Sequence, residues 1–366
     1  MQVNEVVVNG MAELSLVNDT VSEDTLLEGE TAHDASGKQI TGKLVVTPVD
    51  SELNAESENA IQNKAVFAGI NNAVNGVKEY ANGIISNPNL LDNWYFANPI
   101  NQRGQTEYTG AGYGIDRWKN LRASNGYRVT SEGIQPITSS DTTIIQQAIE
   151  GLFDKWRNKT LTLSLLRTDG KLFTVTGTVP DTEPSSNTDL LATEVSTDGR
   201  IFAQWQPNAK VLAINLNKYE TTNPTVTYIA AKLEVSPFQT LARQDANGNW
   251  ILNDPPPNPA TELAKCQWYY RRIEQARIRA WGYTANSILF FISYPEMRVR
   301  PTATIKGSPT ISNMEIASYN DFTCSVDWAL PTGCRITAAK TAHGLTDGLL
   351  HINSDSNVYI ELSADL

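Results

Sequence analysis

Short apolar and β-branched runs separated by polar turn residues recur along most of this chain. TLTLSLL at 160–166, KLFTVTGTVP at 171–180, RIFAQW at 200–205, VLAINL at 211–216 and TVTYIAAKLEV at 225–235 are all β-like. Such runs, rich in Val, Ile, Thr and aromatics and bounded by Gly, Pro, Asn and Asp, predict short strands separated by turns. YRVTSEGI at 127–134 continues the series, and SILFFISY, TATIKG, FTCSVDWAL, CRITAA and NVYIEL repeat it between 287 and 362. One stretch departs from it: TTIIQQAIEGLFDKW at 142–156 reads as a short helix or helical turn.

The first 48 residues alternate short apolar runs with turns. EVVVNG at 5–10 reads as a strand ending at a glycine, and Ser36-Gly37 as a turn before a strand through Ile40 and Leu44. Between Asp50 and Ser86 there is no proline, and Val66, Ile70, Ala73, Val77, Tyr80 and Ile84 fall at spacings of four and three. That is a heptad seam, and it predicts a coiled-coil stalk formed by several copies of the chain, with a single amphipathic helix packed on a neighbouring domain as the alternative. Gly69, Gly76 and Gly83 weaken an isolated helix but recur every seventh residue, where helices can approach closely. Asn87-Pro88 ends the helix, because the residue before proline avoids the helical region. DANGNW and NDPPPNPA then mark a turn-rich, stiff connector at 239–261, and ELAKCQWYYRRI at 262–273 reads as short helical or mixed.

The expected fold is therefore mainly β in four parts joined by a connector. A short N-terminal β anchor module (1–48) leads to the helical coiled-coil stalk (49–86), a β-sandwich or jelly roll (87–238), the connector and a C-terminal β tip domain (262–366). A length of 366 residues suits several cores better than one. The formal net charge of -11 disfavours nucleic acid and anionic membranes as partners. The opening MQVNEVVVNGMAELSL has neither a basic nor an apolar signal region, and no run approaches the roughly 18 apolar residues of a membrane span. Cys266, Cys324 and Cys334 are odd in number and far apart, which points to free thiols and assembly in a reducing cytoplasm.

Several strings resemble tail-fibre and minor structural proteins, the receptor-binding proteins of phages and prophages of Gram-positive bacteria. SELNAESENAIQNKAV at 51–66 is similar to the start of their stalks, and DTLLEGETAHDASGKQITGKL at 24–44 to a small module found in them. NLLDNWYFANPINQRGQTEYTGAGYGIDRW at 89–118 resembles the opening of a jelly roll like those of carbohydrate-binding modules. Its landmarks are Asn89-Leu90-Leu91, Gln102-Arg103-Gly104 and Asp116-Arg117-Trp118, and QQAIEG at 146–151 and KLEVSPF at 232–238 continue the pattern. ELAKCQWYYRRI resembles the segment that follows such jelly rolls, here separated from it by an insert with Pro255-Pro256-Pro257. The resemblance implies a homotrimeric virion tail protein, assembled in the host cytoplasm and released by lysis. It would be held to tail or baseplate proteins through residues 1–48, and would meet a bacterial surface polysaccharide or teichoic acid at its tip.

Residues suited to catalysis are sparse. His33, His343 and His351 are the only histidines, and none has cysteines at zinc-ligand spacing, so neither metal nor cofactor is expected. No nucleophile elbow or phosphate loop occurs, and TGAGYG at 109–114 reads as a turn. A fibre-borne glycan depolymerase would need two carboxylates across a groove. Asp321 and Asp327 flank a strand, but as solvated acids they do not define one. A purely structural tail or collar part is the other alternative. Binding is better supported, because a sugar needs an aromatic platform for its C–H face beside planar polar groups for its hydroxyls. Trp281, Tyr283, Tyr294, Tyr319, Asp321 and Trp328 are the candidate contacts, with Asn320 between two of them. Trp94 and Trp118 belong to the jelly-roll landmarks and are expected to pack.

Overall fold

The structure, a computed structural model, describes residues 5–9, 11–16, 18–51, 60–61, 63–84, 86–137, 142–196, 198–218, 226–274, 278–307, 309–313, 317–319, 321–343, 350–353 and 358–366. The chain divides into two compact units, 1–80 and 81–366.

In the first unit β1 (Glu5–Val8) and β2 (Met11–Ser15) form an antiparallel hairpin. β3 (Thr31–His33) pairs with β4 (Gln39–Thr41) around the expected Ser36-Gly37 turn. The Asp34 carboxylate closes that turn by accepting the backbone N–H of Ser36 at 2.9 Å and of Lys38 at 3.1 Å. Gly42 sits where the chain crosses itself, since a Cβ there would lie 2.0 Å from the carbonyl oxygen of Leu27. β5 (Val49–Asp50) and β6 (Ala60–Ile61) make a short parallel pair ahead of helix α1 (Asn63–Ile84).

The expected coiled-coil stalk does not form. A coiled coil needs at least two long helices interlocked along a seam, and the described residues hold only α1, of 22 residues, and a nine-residue helix far along the chain. Ile70 and Val77, two members of the seam, are 57% and 68% exposed. Ala73 is also exposed and Val66 half-buried, and the side chains of Tyr80 and Ile84 lie outside the described set. Nothing lies within 4 Å of where a Cβ on Gly76 would be, so this glycine marks no close helix approach. Two and a half heptads carrying three glycines give a legible period and too little buried surface.

The second unit begins with a sandwich of two six-stranded sheets. In chain order its strands are β7 (Glu107–Thr109), β8 (Gly112–Tyr113), β9 (Lys119–Asn120), β10 (Gly126–Thr130), β11 (Gly133–Ile137) and β12 (Thr143–Glu150). They continue with β13 (Thr160–Arg167), β14 (Leu172–Thr178), β15 (Thr188–Ala192), β16 (Arg200–Gln206), β17 (Val211–Lys218) and β18 (Tyr228–Val235). One sheet runs β14-β13-β18-β11-β10-β7 and the other β15-β16-β17-β12-β9-β8. Trp118, Trp156, Trp205, Tyr127, Phe96 and Leu163 are buried in the core between them. The expected packing role of Trp94 and Trp118 is met, and the indole of Trp118 donates to the carbonyl of Asn93 at 3.0 Å.

The helical expectation over 142–156 is corrected. Residues 143–150 form β12, paired with β17 and β9, and only the single 3-10 turn Phe153–Lys155 is helical. Burial alternates strictly along β12, with Thr143, Ile145, Gln147 and Ile149 facing the core. The β-branched Ile144, Ile145 and Ile149 fit a pleated surface better than a helix.

The connector is not an extended spacer. β19 (Ala242–Gln244) and β20 (Trp250–Leu252) form a hairpin whose Leu241 and Ala242 are buried in the sandwich core. Helix α2 (Pro259–Gln267) follows, its first turn capped by Asn258, whose side chain accepts from Ala260 and Thr261. The tip holds β21 (Tyr270–Glu274), β22 (Ile278–Thr284), β23 (Ser287–Ser293), β24 (Thr302–Lys306) and β25 (Thr310–Asn313). β26 (Ala317–Tyr319), β27 (Thr323–Leu330), β28 (Gly333–Ala339), β29 (Leu350–Asn353) and β30 (Tyr359–Ser363) complete it. They build a three-stranded sheet β21-β30-β24 and a seven-stranded sheet β26-β25-β29-β22-β23-β28-β27 around a second core.

If β12 is a strand, Ile145→Ala empties a core position and costs about 2–5 kcal/mol. Ile144→Ala, one residue away on the outer face, costs about 1 kcal/mol or less. Urea unfolding followed by tryptophan fluorescence checks this, and equal losses would contradict the strand register.

Candidate functional site

Among the described residues of the tip, the outer face of β23, β28 and β27 brings exposed aromatic and polar groups together. On β23 the buried Ile288, Phe290 and Ile292 alternate with the outward Leu289 and Phe291. On β28 the buried Cys334, Ile336 and Ala338 alternate with Arg335 and Thr337. β27 begins with the same alternation, its Cys324 and Val326 packing against the second core. The register then shifts: Val326 pairs with Ile336 but Trp328 pairs with Arg335, so Asp327 is an inserted residue. A β-bulge of this kind lets two successive residues share one face. Asp327 and Trp328 are both exposed beside Arg335.

Side-chain contacts fix this face. Arg335 donates twice to Asp327, Nε to Oδ1 at 3.0 Å and Nη2 to Oδ2 at 2.6 Å. The Thr337 hydroxyl donates to the same carboxylate at 2.8 Å. These bonds hold the Asp327 carboxyl below its ordinary pKa, with Arg335 the largest cause and Thr337 adding to it. Phe291 meets Trp328 edge to face, with ring centroids 6.3 Å apart and planes at 74°. Phe291 is 38% exposed and Trp328 43%. An aromatic corner thus stands beside a pre-oriented fork of donors and acceptors.

The six residues singled out from sequence do not form one site. Trp328 lies on the face just described. Tyr294 is a core residue: its hydroxyl donates to the carbonyl of Leu330 at 2.8 Å, and burial pushes its pKa up to about 12. Asp321 is bound by Lys340 through both carboxylate oxygens at 2.6 Å, a contact that lowers its pKa. It lies two residues before Thr323, the start of β27, and the strand from Thr323 to Trp328 alone spans roughly 16 Å, which sets the two apart. Trp281 and Tyr283 are on β22 and Tyr319 is on β26. The side chains of these three, and the whole of Asn320, lie outside the described residues. Sequence reasoning missed Phe291, Arg335 and Thr337 and read Asp327 as a solvated acid. The signal was there in the outward positions of SILFFISY and CRITAA and in an Asp-Trp step that breaks the alternation.

Two chemistries can be weighed on these groups. A glycosidase needs one carboxyl kept protonated near neutrality, whereas Asp321 and Asp327 are both shifted the other way. Among the described residues no group of three His, Cys, Asp or Glu could hold a metal ion. No helix of the described chain is long and apolar enough to cross a membrane. Compared with known proteins, the chain matches no family model, no curated protein and no solved structure.

Asp327 should titrate below 3.8 in side-chain carboxyl NMR, and Arg335→Gln should return it toward that ordinary value. A depressed pKa means the pair is formed above the ordinary value and is lost as pH falls through the lowered one. Unchanged titration in the variant would show that the fork is not formed in solution.

Proposed function

We propose that this chain is an adhesion protein of a phage-type tail and that the outer face of β23, β28 and β27 binds sugars of a bacterial surface polysaccharide. The observation that carries the reading is the Phe291–Trp328 corner beside the Arg335–Asp327–Thr337 fork. An indole face takes the C–H side of a pyranose, and a carboxylate beside a guanidinium accepts from and donates to adjacent hydroxyls. The charge of Arg335 is already offset by Asp327, which favours an uncharged sugar over the phosphodiester of a teichoic acid. The tail context rests on the resemblance of residues 24–44, 51–66 and 89–118, which also implies attachment through residues 1–48 and a homotrimer. Three copies of one weak sheet-face site raise avidity without any new contact.

Removing residues 274–366 would cut the β21–β30 pairing and expose the second core, so point variants are the cleaner test. Trp328→Ala should weaken binding to immobilised host-wall polysaccharide at least about tenfold, the equivalent of about 1.4 kcal/mol. Phe291→Ala should weaken it less, and near-UV circular dichroism should confirm that both variants fold. Undiminished binding by a folded Trp328→Ala protein would remove this face from consideration. Release of short sugars would instead support a depolymerase. Light scattering should give three times the 40.2 kDa chain mass, and a monomer would end the trimeric part of the reading.

A further inference from the structure

The sandwich and the tip meet through a buried polar joint. From the sandwich, Gln102 donates to Asp116 at 2.7 Å and to the carbonyl of Tyr270 at 2.8 Å. Arg103 points one nitrogen at Asp116 at 3.4 Å and the other at Asp365 at 2.7 Å, lying 3.7 Å over the Tyr270 ring. Both carboxylates are buried, Asp116 completely. Asp365 also accepts from the Ser363 hydroxyl at 3.0 Å, but its other oxygen, Oδ1, is buried with no partner among the described residues. Two buried acids therefore face one cation. The nearby Arg117 is held elsewhere, bonded to Asp92 at 3.1 Å and stacked 3.4 Å over Tyr269.

We infer that this joint is a proton-operated coupling, in which Asp116 and Asp365 share one proton across Arg103 and ionisation of both loosens the tip from the sandwich. With one proton, the pair and the guanidinium sum to zero. With none, a buried negative charge is left over, which a low-dielectric site resists. Burial is the largest cause raising the pKa of each acid, Asp116 to about 7. Charged groups beside the joint are each paired: Glu361 on β30, which accepts from the Tyr270 hydroxyl at 3.0 Å, with Lys306, Arg272 on β21 with Glu274, Glu262 on α2 with Lys265, and Arg117, which also acts on Asp365, with Asp92. Five titratable neutral groups also face it: Tyr108 and Tyr127 on β7 and β10, Tyr113 on β8, Cys266 on α2 and Tyr270 on β21. Burial raises the pKa of all five, so they stay neutral while the acids titrate.

The sign follows from linkage. A closed joint whose acids have raised pKa values binds a proton that an opened joint releases. Its stability is complete below the ordinary carboxylate value and is lost as pH rises to about 7. Carboxyl-carbon NMR of the full chain should find one aspartate titrating near pH 7, and calorimetry should show tip and sandwich unfolding together at pH 5 and apart at pH 8. Asp116→Asn should abolish that pH dependence, and Asp365→Asn serves if the first variant does not fold. The inference is overturned if every aspartate titrates below pH 5, or if a folded variant keeps the wild-type pH profile.

Discussion

The second unit depends on a guanidinium clamped between two buried carboxylates and a tyrosine ring. Arg103 bonds or stacks with Asp116, Asp365 and Tyr270 at once, so one side chain joins the sandwich to the first and last strands of the tip where they lie side by side. Backbone bonds hold the tip's own strands together beside this point, Ala364 N–H donating to the carbonyl of Tyr269 at 2.7 Å and Arg298 N–H to that of Trp268 at 2.9 Å. Arginine suits the position because its planar fork addresses two carboxylates while its face stacks on an aromatic ring. Lysine, a point charge, could not do both. The Arg117 stack on Tyr269 needs a left-handed backbone, with φ +73 at a non-glycine residue, and that strain is tolerated because the turn aims the side chain across the joint.

This arrangement gives a physical reason for three separate strings of the chain to occur together. Gln102-Arg103, Asp116-Arg117 and the Tyr269-Tyr270 pair of ELAKCQWYYRRI lie far apart in the chain but are contact partners. A sequence that kept one set and lost another would bury unpaired charge, which is strongly destabilising. It also shows why the proline insert between sandwich and tip is tolerated. The connector packs a hairpin against the sandwich, and side chains at the joint, rather than connector length, hold the tip.

Much of the β architecture was legible because period two is a direct consequence of pleating: a strand with one buried face must alternate. β16 follows that rule, whereas β13 and β17 are buried along almost their whole length and were legible as short runs bounded by turn residues. β12 was misread because Ile144 with Ala148, and Ile145 with Ile149, also satisfy a four-residue helical spacing. What decides between them is pairing with β17 and β9, distant partners that local pattern does not contain. The stalk failed for the opposite reason: its period was real, but period alone does not supply a partner helix. In the candidate site, Trp328 was legible as an aromatic in the last domain. Its neighbours were not, because Phe291 and Arg335 are brought beside it by cross-strand register and Asp327 by an inserted residue.

On the proposed reading, sugar binding at the tip face and firmness at the joint would be linked through conformational entropy. A sheet face offers a shallow site, and a shallow site gains little per contact, so freedom lost on binding weighs heavily against it. The bulge would reduce part of that loss for the proposed sugar, because Arg335, Asp327 and Thr337 are already bonded to one another. The joint would reduce another part by fixing the direction in which the face points, provided its carboxylates hold their proton. A tip that swings would lose that advantage even with every contact residue intact. If the proposed site binds sugar, the orientation of the face and the charge state of a buried aspartate pair outside it would therefore be parts of a single binding free energy.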